Sequence, residues 1–438
     1  MKTAKQLLIL AGGQGTRLKT VCGNLPKPLI PIGEVSLLEH QIRLAKRNGY
    51  TSIWLLVYYG ADQIQKTLGK GEELGVQLNY YQEKTPLGTA GAVLQLWDHL
   101  ADEFMVMYGD TMINLDLQRF ENYHHQHQAD ATLFVHPNDH PFDSDLIETD
   151  ANDRILAFHN RPHSPGIFRQ NLVNAALYLI KKKALKPWKK NKKFLDFGKD
   201  LFPELLKKEA FLQAYRSPEY IKDIGTPERY QKVCQEYNTK VIEKASLSHL
   251  QPAVFLDRDG TLNEDRMEGI THHEQLFLLP TVAEAIQKLN HHGIRTLVIT
   301  NQPVIAKGFC SETDVQMIHN KLETLLGQNH AFLDRIYFCP HHPEKGFPGE
   351  RTELKIPCSC RKPNIGMVEQ AIEQFHIDRK KSWFIGDTTT DIQTAKNAQI
   401  KSILIQTGQA GHDKKYSVKP NFTFGSLLEA VEFIIQQN

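Results

Sequence analysis

The chain has 438 residues, 41% hydrophobic and 23% charged, with a formal net charge of +2. Such a length favours two domains. The composition is that of a soluble globular protein, and the near-neutral charge gives no field for nucleic acid or a membrane surface, so small molecules are the expected partners and self-association is left open. No run approaches the roughly 20 apolar residues that span a bilayer, and six cysteines without a disulfide-like spread fit a reducing cytoplasm.

The start, Met1-Lys2-Thr3 running into Leu7 to Ala11, has too short an apolar run for a signal peptide and reads as a buried first strand. Short apolar runs then alternate with helical patterns, which argues for parallel α/β architecture twice over. Expected strands are Gln6 to Leu10, Ser52 to Val57, Gln77 to Tyr81, Phe104 to Tyr108, Ala131 to Val135 and Val173 to Ile180. In the second half they are Ala253 to Leu256, Ile294 to Ile299, Arg335 to Phe338, Ser382 to Ile385 and Lys401 to Ile405. The Lys-rich stretch Lys181 to Lys193 reads as a solvated helix face. Tyr230 to Ser248 is polar and helix-prone before the chain restarts at Ala253, which places domains at 1–238 and 252–438 with a linker at 239–251.

Strand Leu7 to Leu10 runs into Ala11-Gly12-Gly13-Gln14-Gly15-Thr16-Arg17-Leu18, where glycines let backbone N–H groups approach phosphates. A P-loop would end in Gly-Lys-Ser/Thr, and a dinucleotide fingerprint would put glycine at Leu18, so both commoner readings fail. About ten residues on, Leu25-Pro26-Lys27-Pro28-Leu29 sets a lysine between prolines, and Arg17 and Lys27 would supply cations for a triphosphate. The combination resembles the sugar nucleotidyltransferase family, over essentially Lys5 to Tyr230.

That resemblance implies roles for later segments. Glu83 and Pro86-Leu87-Gly88-Thr89-Ala90-Gly91-Ala92 match the family's base-recognising stretch; Asp110 and Asp223 match its Mg²⁺ carboxylates. The implied chemistry is in-line attack of a sugar 1-phosphate on the α-phosphorus of a nucleoside triphosphate, with pyrophosphate leaving. Where the family has Glu-Lys-Pro, this chain reads His159-Asn160-Arg161-Pro162: Arg161 keeps a cation for phosphate, while the sugar-binding Glu is missing. Asn174, in Asn174-Ala175-Ala176, is the matching sugar-site residue, with alanine where glycine is usual.

In the second half, strand Val254 to Leu256 ends in Asp257-Arg258-Asp259-Gly260-Thr261. Asp257 can attack phosphorus and Asp259, two residues on, can protonate the leaving oxygen and later activate water. Thr300 and Asn301 end the next core strand and can donate to phosphate oxygens; Arg361-Lys362 and Gly386-Asp387 follow, with Asp391 beyond. This order resembles the haloacid dehalogenase superfamily over 252 to about 410. It implies Mg²⁺ held by Asp257, Asp387 and the backbone carbonyl of Asp259, Lys362 neutralising the phosphoryl group, and Asp265 and Arg361 on the substrate.

Cys339, His341, Cys358 and Cys360 form two tight pairs of soft ligands that match a closed structural Zn²⁺ site, with His342 left as a loop residue. Cys-Pro-His-His-Pro followed by Cys-x-Cys-Arg-Lys-Pro is similar to the heptose 1,7-bisphosphate phosphatase family, whose nearest relatives are histidinol-phosphate phosphatases. Pro303-Val304 stand where those relatives carry Ser-Gly.

The two resemblances imply a Rossmann-like nucleotidyltransferase with a GT-A-like mixed sheet, then a haloacid-dehalogenase-like Rossmannoid domain with minimal cap. A phosphatase that removed the 1-phosphate would destroy its neighbour's substrate. The expected reaction therefore cuts D-glycero-D-manno-heptose 1,7-bisphosphate at C7 and couples heptose 1-phosphate to a nucleotide, by resemblance to guanylyltransferases GTP, for surface glycan synthesis. Two other readings stand beside it: a histidinol-phosphate phosphatase joined to a transferase for another sugar, and a non-catalytic first domain that senses sugar nucleotides or oligomerises.

Overall fold

The computed structural model describes residues 5–164, 166–266 and 268–437; Met1 to Thr3 of the proposed first-strand segment lie outside them. The chain separates into two compact units at Ser248, the second also taking in 137–146 and 161–173.

In the first unit β1 (Gln6–Leu10) leads, after a short hairpin of β2 (Pro31–Ile32) and β3 (Val35–Ser36), to β4 (Ser52–Val57), β5 (Gln77–Gln82), β6 (Glu103–Tyr108), β7 (Thr111–Asn114) and β8 (Ala131–His136). Then come β9 (Leu146–Thr149), β10 (Ile155–His159), β11 (Val173–Lys181), β12 (Leu212–Arg216) and β13 (Tyr220–Asp223). The main sheet runs β10-β9-β11-β6-β1-β4-β5, with β8 and β12 joined to it through β11. Pairs β1–β4, β1–β6 and β4–β5 are parallel. Because β11 pairs antiparallel with β6, the sheet is mixed, as the family resemblance implied and the alternation of apolar runs did not.

Helix Leu37–Arg47 shows how this sequence builds the layer against that sheet. Ser36 caps it by accepting from Glu39 N at 3.2 Å, and Leu37, Leu38, Ile42, Leu44 and Ala45 bury one face. Losing such a cap costs roughly 1 kcal/mol. The buried Gln41 donates to Tyr108 O at 2.8 Å and Thr111 O at 2.7 Å, pinning the turn that carries Gly109 and Asp110. Lys181–Lys193 is not a helix face. It is the end of β11, a 3₁₀ turn Lys182–Trp188 and a loop, because Pro187 denies an α-helix its amide donor.

The second unit holds β14 (Ala253–Leu256), β15 (Arg295–Asn301), β16 (Arg335–Cys339), β17 (Trp383–Gly386), β18 (Lys401–Ile405) and β19 (Phe422–Phe424), in the order β16-β15-β14-β17-β18-β19. Every neighbour pair is parallel. All four residues of β14 are buried, which is why this strand reads as an unbroken apolar run rather than an alternation. No helix among the described residues is long and apolar enough to cross a membrane.

Candidate functional site

In a parallel sheet the carboxyl ends of neighbouring strands gather what the following loops carry. At the ends of β1 and β6 the first unit opens a cavity of about 420 Å³. Gly12, Gly13, Gly15, Thr16, Arg17, Lys27, Glu83, Gly88, Thr89 and Asp110 all line it, so ten residues singled out in the sequence meet in one place. Lys27 Nζ lies 2.7 Å from Asp110 Oδ2. Asp223 sits next to Asp110 through the antiparallel β7–β13 ladder, where Ile224 N donates to Asp110 O at 2.9 Å.

Asp223 is not an open carboxylate. Burial works against its charge, but Arg229, at 2.8 and 3.0 Å from its two oxygens, and Gly225 N at 2.8 Å hold it below the usual carboxylate range. Each carboxylate expected on Mg²⁺ thus carries a protein cation here, and Arg229 had no role in the sequence reading. Glu83 is raised by burial and accepts from Leu87 N at 3.0 Å, so it shapes the Pro86–Gly91 stretch as well as facing the cavity. Arg161 and Asn174 are not among the cavity's lining residues. Arg161 donates to Asp143 O at 2.8 Å and Asp143 Oδ1 at 3.1 Å, and Asn174 Oδ1 accepts from Ala176 N on its own strand.

In the second unit β14, β15 and β17 end side by side, which brings Asp257, Thr300, Asn301 and Asp387 together. Ligand oxygens of Asp257, Asp387 and Asp391 lie within 4.8 Å of one another. The buried Lys362 reaches Asp257 Oδ1 at 2.8 Å and Asp391 Oδ1 at 2.6 Å. Burial, then Asp391, push the Asp257 carboxyl up to about 7 against the pull of Lys362; burial and the carboxylates of Asp257 and Asp391 push Asp387 up to about 8. Asp387 Oδ1 is buried without a hydrogen-bond partner. Three crowded carboxylates, one with an orphaned oxygen, are short of positive charge, which fits a divalent cation.

Asp391 is the metal-capable carboxylate that had no assigned role. Thr388 and Asp391 form a capping box at the start of helix Thr389–Asn397, and that local signal masks the second task of the same side chain. Gly260, at φ +78°, is required by closeness: a Cβ there would stand 2.3 Å from Asp387 Oδ2.

Asp259 is bound to Arg258 at 2.9 Å, Gln302 Nε2 at 2.9 Å and Asn263 Nδ2 at 3.0 Å, which outweigh burial and hold its carboxyl low. Arg258 is fully buried and is shared with Gln302 Oε1 at 3.0 Å and with His319, which burial and the neighbouring Arg258 push down to about 3. Nothing in the sequence pattern marked Gln302 or His319. Asn301 uses both ends of its amide on the backbone of Lys362, at 3.0 and 3.1 Å, so its side chain positions the lysine. Thr300 Oγ1 accepts from Gln302, and Asp265 from Gln409 Nε2 at 3.1 Å.

Cys339, His341, Cys358 and Cys360 converge, with sulfur separations of 3.1 to 3.6 Å and His341 Nδ1 3.3 Å from Cys360 Sγ. This donor set fits a tetrahedral zinc ion. His342 lies outside it, against Glu344 O. Arg361 N donates to Cys358 Sγ at 3.3 Å and its guanidinium to His341 O at 3.0 Å, so the cluster fixes the loop that delivers Lys362.

The family model for Nucleotidyl transferase matches residues 6–240, just over half of the chain, and a HAD-hydrolase-like model matches 359–430. The chain is 36% identical over 185 residues to D-glycero-D-manno-heptose-1,7-bisphosphate 7-phosphatase of Chlorobaculum tepidum, covering 41% of this chain and 91% of that protein. Among solved structures it is similar to HddC from Yersinia pseudotuberculosis, 28% identical, covering 53% of this chain and 99% of that one, with a TM-score of 0.47. It is also similar to a D,D-heptose 1,7-bisphosphate phosphatase from B. bronchiseptica complexed with magnesium and phosphate, 27% identical, covering 43% and 100%, with a TM-score of 0.38. The chain belongs to the Nucleotidyl transferase family through its first half and to the family of the Chlorobaculum phosphatase through its second, and it is an enzyme of both classes.

Proposed function

We propose that the chain removes the 7-phosphate of D-glycero-D-manno-heptose 1,7-bisphosphate and then couples the resulting heptose 1-phosphate to a nucleoside triphosphate, GTP, releasing pyrophosphate. The observation that carries this reading is the Asp257–Lys362–Asp391–Asp387 cluster, in the same polypeptide as a cavity ringed by Arg17 and Lys27. Only a phosphatase that spares the 1-phosphate leaves its neighbour a substrate.

In the first step Asp257 attacks phosphorus and the bond to O7 breaks, the sugar oxygen taking a proton from Asp259. Water, deprotonated by Asp259, then cleaves the aspartyl phosphate and restores Asp257. The pairing of Asp259 with Arg258 and Gln302 favours its ionised form, which suits this second half-reaction, so the first half-reaction draws on the minor protonated form of the same carboxyl. Lys362 neutralises the phosphoryl oxygens throughout. Asp257, Asp387 and the carbonyl of Asp259, with Asp391 beside them, would hold a divalent cation, which would add charge neutralisation at the phosphate.

In the second step a phosphate oxygen of the sugar 1-phosphate attacks the α-phosphorus, pyrophosphate leaves, and Arg17 and Lys27 take up the developing charge. Asp110 and Asp223 are the carboxylates for Mg²⁺, at the expense of their present cation partners. We place the protein in the cytoplasm, where thiols such as those of the Cys339 cluster stay reduced.

Purified protein given heptose 1,7-bisphosphate, Mg²⁺ and each triphosphate separately should release orthophosphate first and pyrophosphate with one triphosphate only. Histidinol phosphate hydrolysed faster than the bisphosphate, or no pyrophosphate with any triphosphate, would sink this reading. Zinc should be found at one ion per chain by metal analysis and be lost in Cys358→Ser. Because the cluster braces the Lys362 loop, orthophosphate release should fall about tenfold or more in that variant, a typical cost of disturbing a metal site's support.

A further inference from the structure

One residue lining the cavity of the first unit, Phe194, has no counterpart in the sequence reading. It is 64% exposed, although it is a large apolar ring, and it stands on the loop that follows the 3₁₀ turn Lys182–Trp188. Burying such a ring contributes roughly 1.5–3 kcal/mol, so a ligand in the cavity that covers it would gain that contribution.

The loop is fastened along the Pro86–Gly91 stretch rather than draped over it. Leu195 N donates to Leu87 O at 2.8 Å, and Leu195 O accepts from Ala90 N and Gly91 N, both at 3.0 Å. One residue further, Asp196 Oδ2 accepts from Thr89 Oγ1 at 2.8 Å, and Thr89 Oγ1 in turn accepts from Phe197 N at 2.9 Å. Gly88, at φ +77°, is what permits this approach, since a Cβ there would stand 2.6 Å from Leu195 O. Five hydrogen bonds therefore lock Phe194 in register with Gly88 and Thr89, themselves cavity-lining residues.

We propose that Phe194 is a base-binding residue of the nucleotide site, its ring packing on the face of the nucleoside base. The inference rests on the reading of Pro86–Gly91 as the base-recognising stretch. Polar groups such as Glu83 and the backbone of that stretch can address the edge of a base. Its π face needs an apolar plane, and Phe194 is the aromatic that the loop holds out for one. Base–aromatic stacking contributes about 1–3 kcal/mol and accepts any base, with the larger purines covering more of the ring.

The intact chain, with Mg²⁺ and no sugar phosphate, would be titrated calorimetrically with GTP, ATP, CTP and UTP separately, as wild type, Phe194→Ala and Phe194→Trp. Phe194→Ala should weaken the tightest-binding triphosphate about tenfold or more, Phe194→Trp should stay within about twofold of wild type, and Tm should be the same in all three. Wild type that binds none of the four would overturn the nucleotide reading of this domain, and this inference with it. Wild type and Phe194→Ala binding alike would overturn this inference alone. So would steady-state kinetics of pyrophosphate release in which the only change in Phe194→Ala is a higher KM for the sugar 1-phosphate, which would put the ring on the sugar.

Discussion

Asp257→Asn is expected to lower orthophosphate release on the order of a thousandfold or more while pyrophosphate release from a supplied sugar 1-phosphate and triphosphate persists. The amide keeps the shape of the side chain and removes the oxygen that attacks phosphorus. Stability should hardly change, for a reason visible in the site. Burial, then the neighbouring Asp391, push the Asp257 carboxyl up to about 7, so neutralising it removes a buried charge and relieves repulsion with Asp391 and Asp387. The cost is one of two contacts to Lys362, and Lys362 keeps Asp391 at 2.6 Å. Phosphate release and Tm, measured on the same preparation, separate the possibilities. Activity within tenfold of wild type at unchanged Tm would remove Asp257 as nucleophile. Loss of both activities with a lowered Tm would mean that the substitution acts through folding.

How much of this was legible depended on whether a residue's task is local. Strands β1, β4, β14 and β18 end where the apolar runs end, because the buried part of a parallel strand reads as a near-continuous apolar run. The glycine loop, the Pro26-Lys27-Pro28 turn, the Asp257–Asp259 pair and the four soft ligands were legible because each packs its chemistry into a few consecutive residues. What escaped depends on partners distant in the chain. The antiparallel return of β11 onto β6 joins residues some seventy positions apart, and no periodicity announces direction. Arg229 is bound to Asp223 and reads in sequence as an ordinary first-turn helix residue. Asp391 looks like half of a capping box because it is one. His319 and Gln302 are drawn in by Arg258, whose burial makes its donors need acceptors, and Gln302 also donates to Asp259. Phe194 was hidden by the lysines around it, which made its loop look like a solvated surface.

Lys27→Met should lower the kcat for pyrophosphate release by about 10²–10³, with a smaller rise in the KM for the triphosphate, because the lost charge acts most where charge develops. Its ammonium is already placed before any substrate arrives. Lys27 opens the 3₁₀ turn Lys27–Leu29 between two prolines, is buried to 7% exposure, and its Cβ packs so close to Gly15 that a side chain there would stand 3.1 Å away. Its Nζ is held 2.7 Å from Asp110 at the cavity wall. A side chain buried along its stem in this way spends little rotamer freedom when Asp110 turns to Mg²⁺ and the ammonium to the phosphates. Lys27→Arg should recover little, since a planar guanidinium does not reproduce the compact point charge that Lys27 sets against Asp110. The partner Asp110 is 40% exposed, so water replaces the lost ion pair and stability should fall by less than about 1 kcal/mol. Steady-state kinetics beside thermal unfolding distinguish the two effects. A kcat within about threefold of wild type would show that Lys27 does not face the reacting phosphates. The charge would then have to come from Arg17, which lines the same cavity.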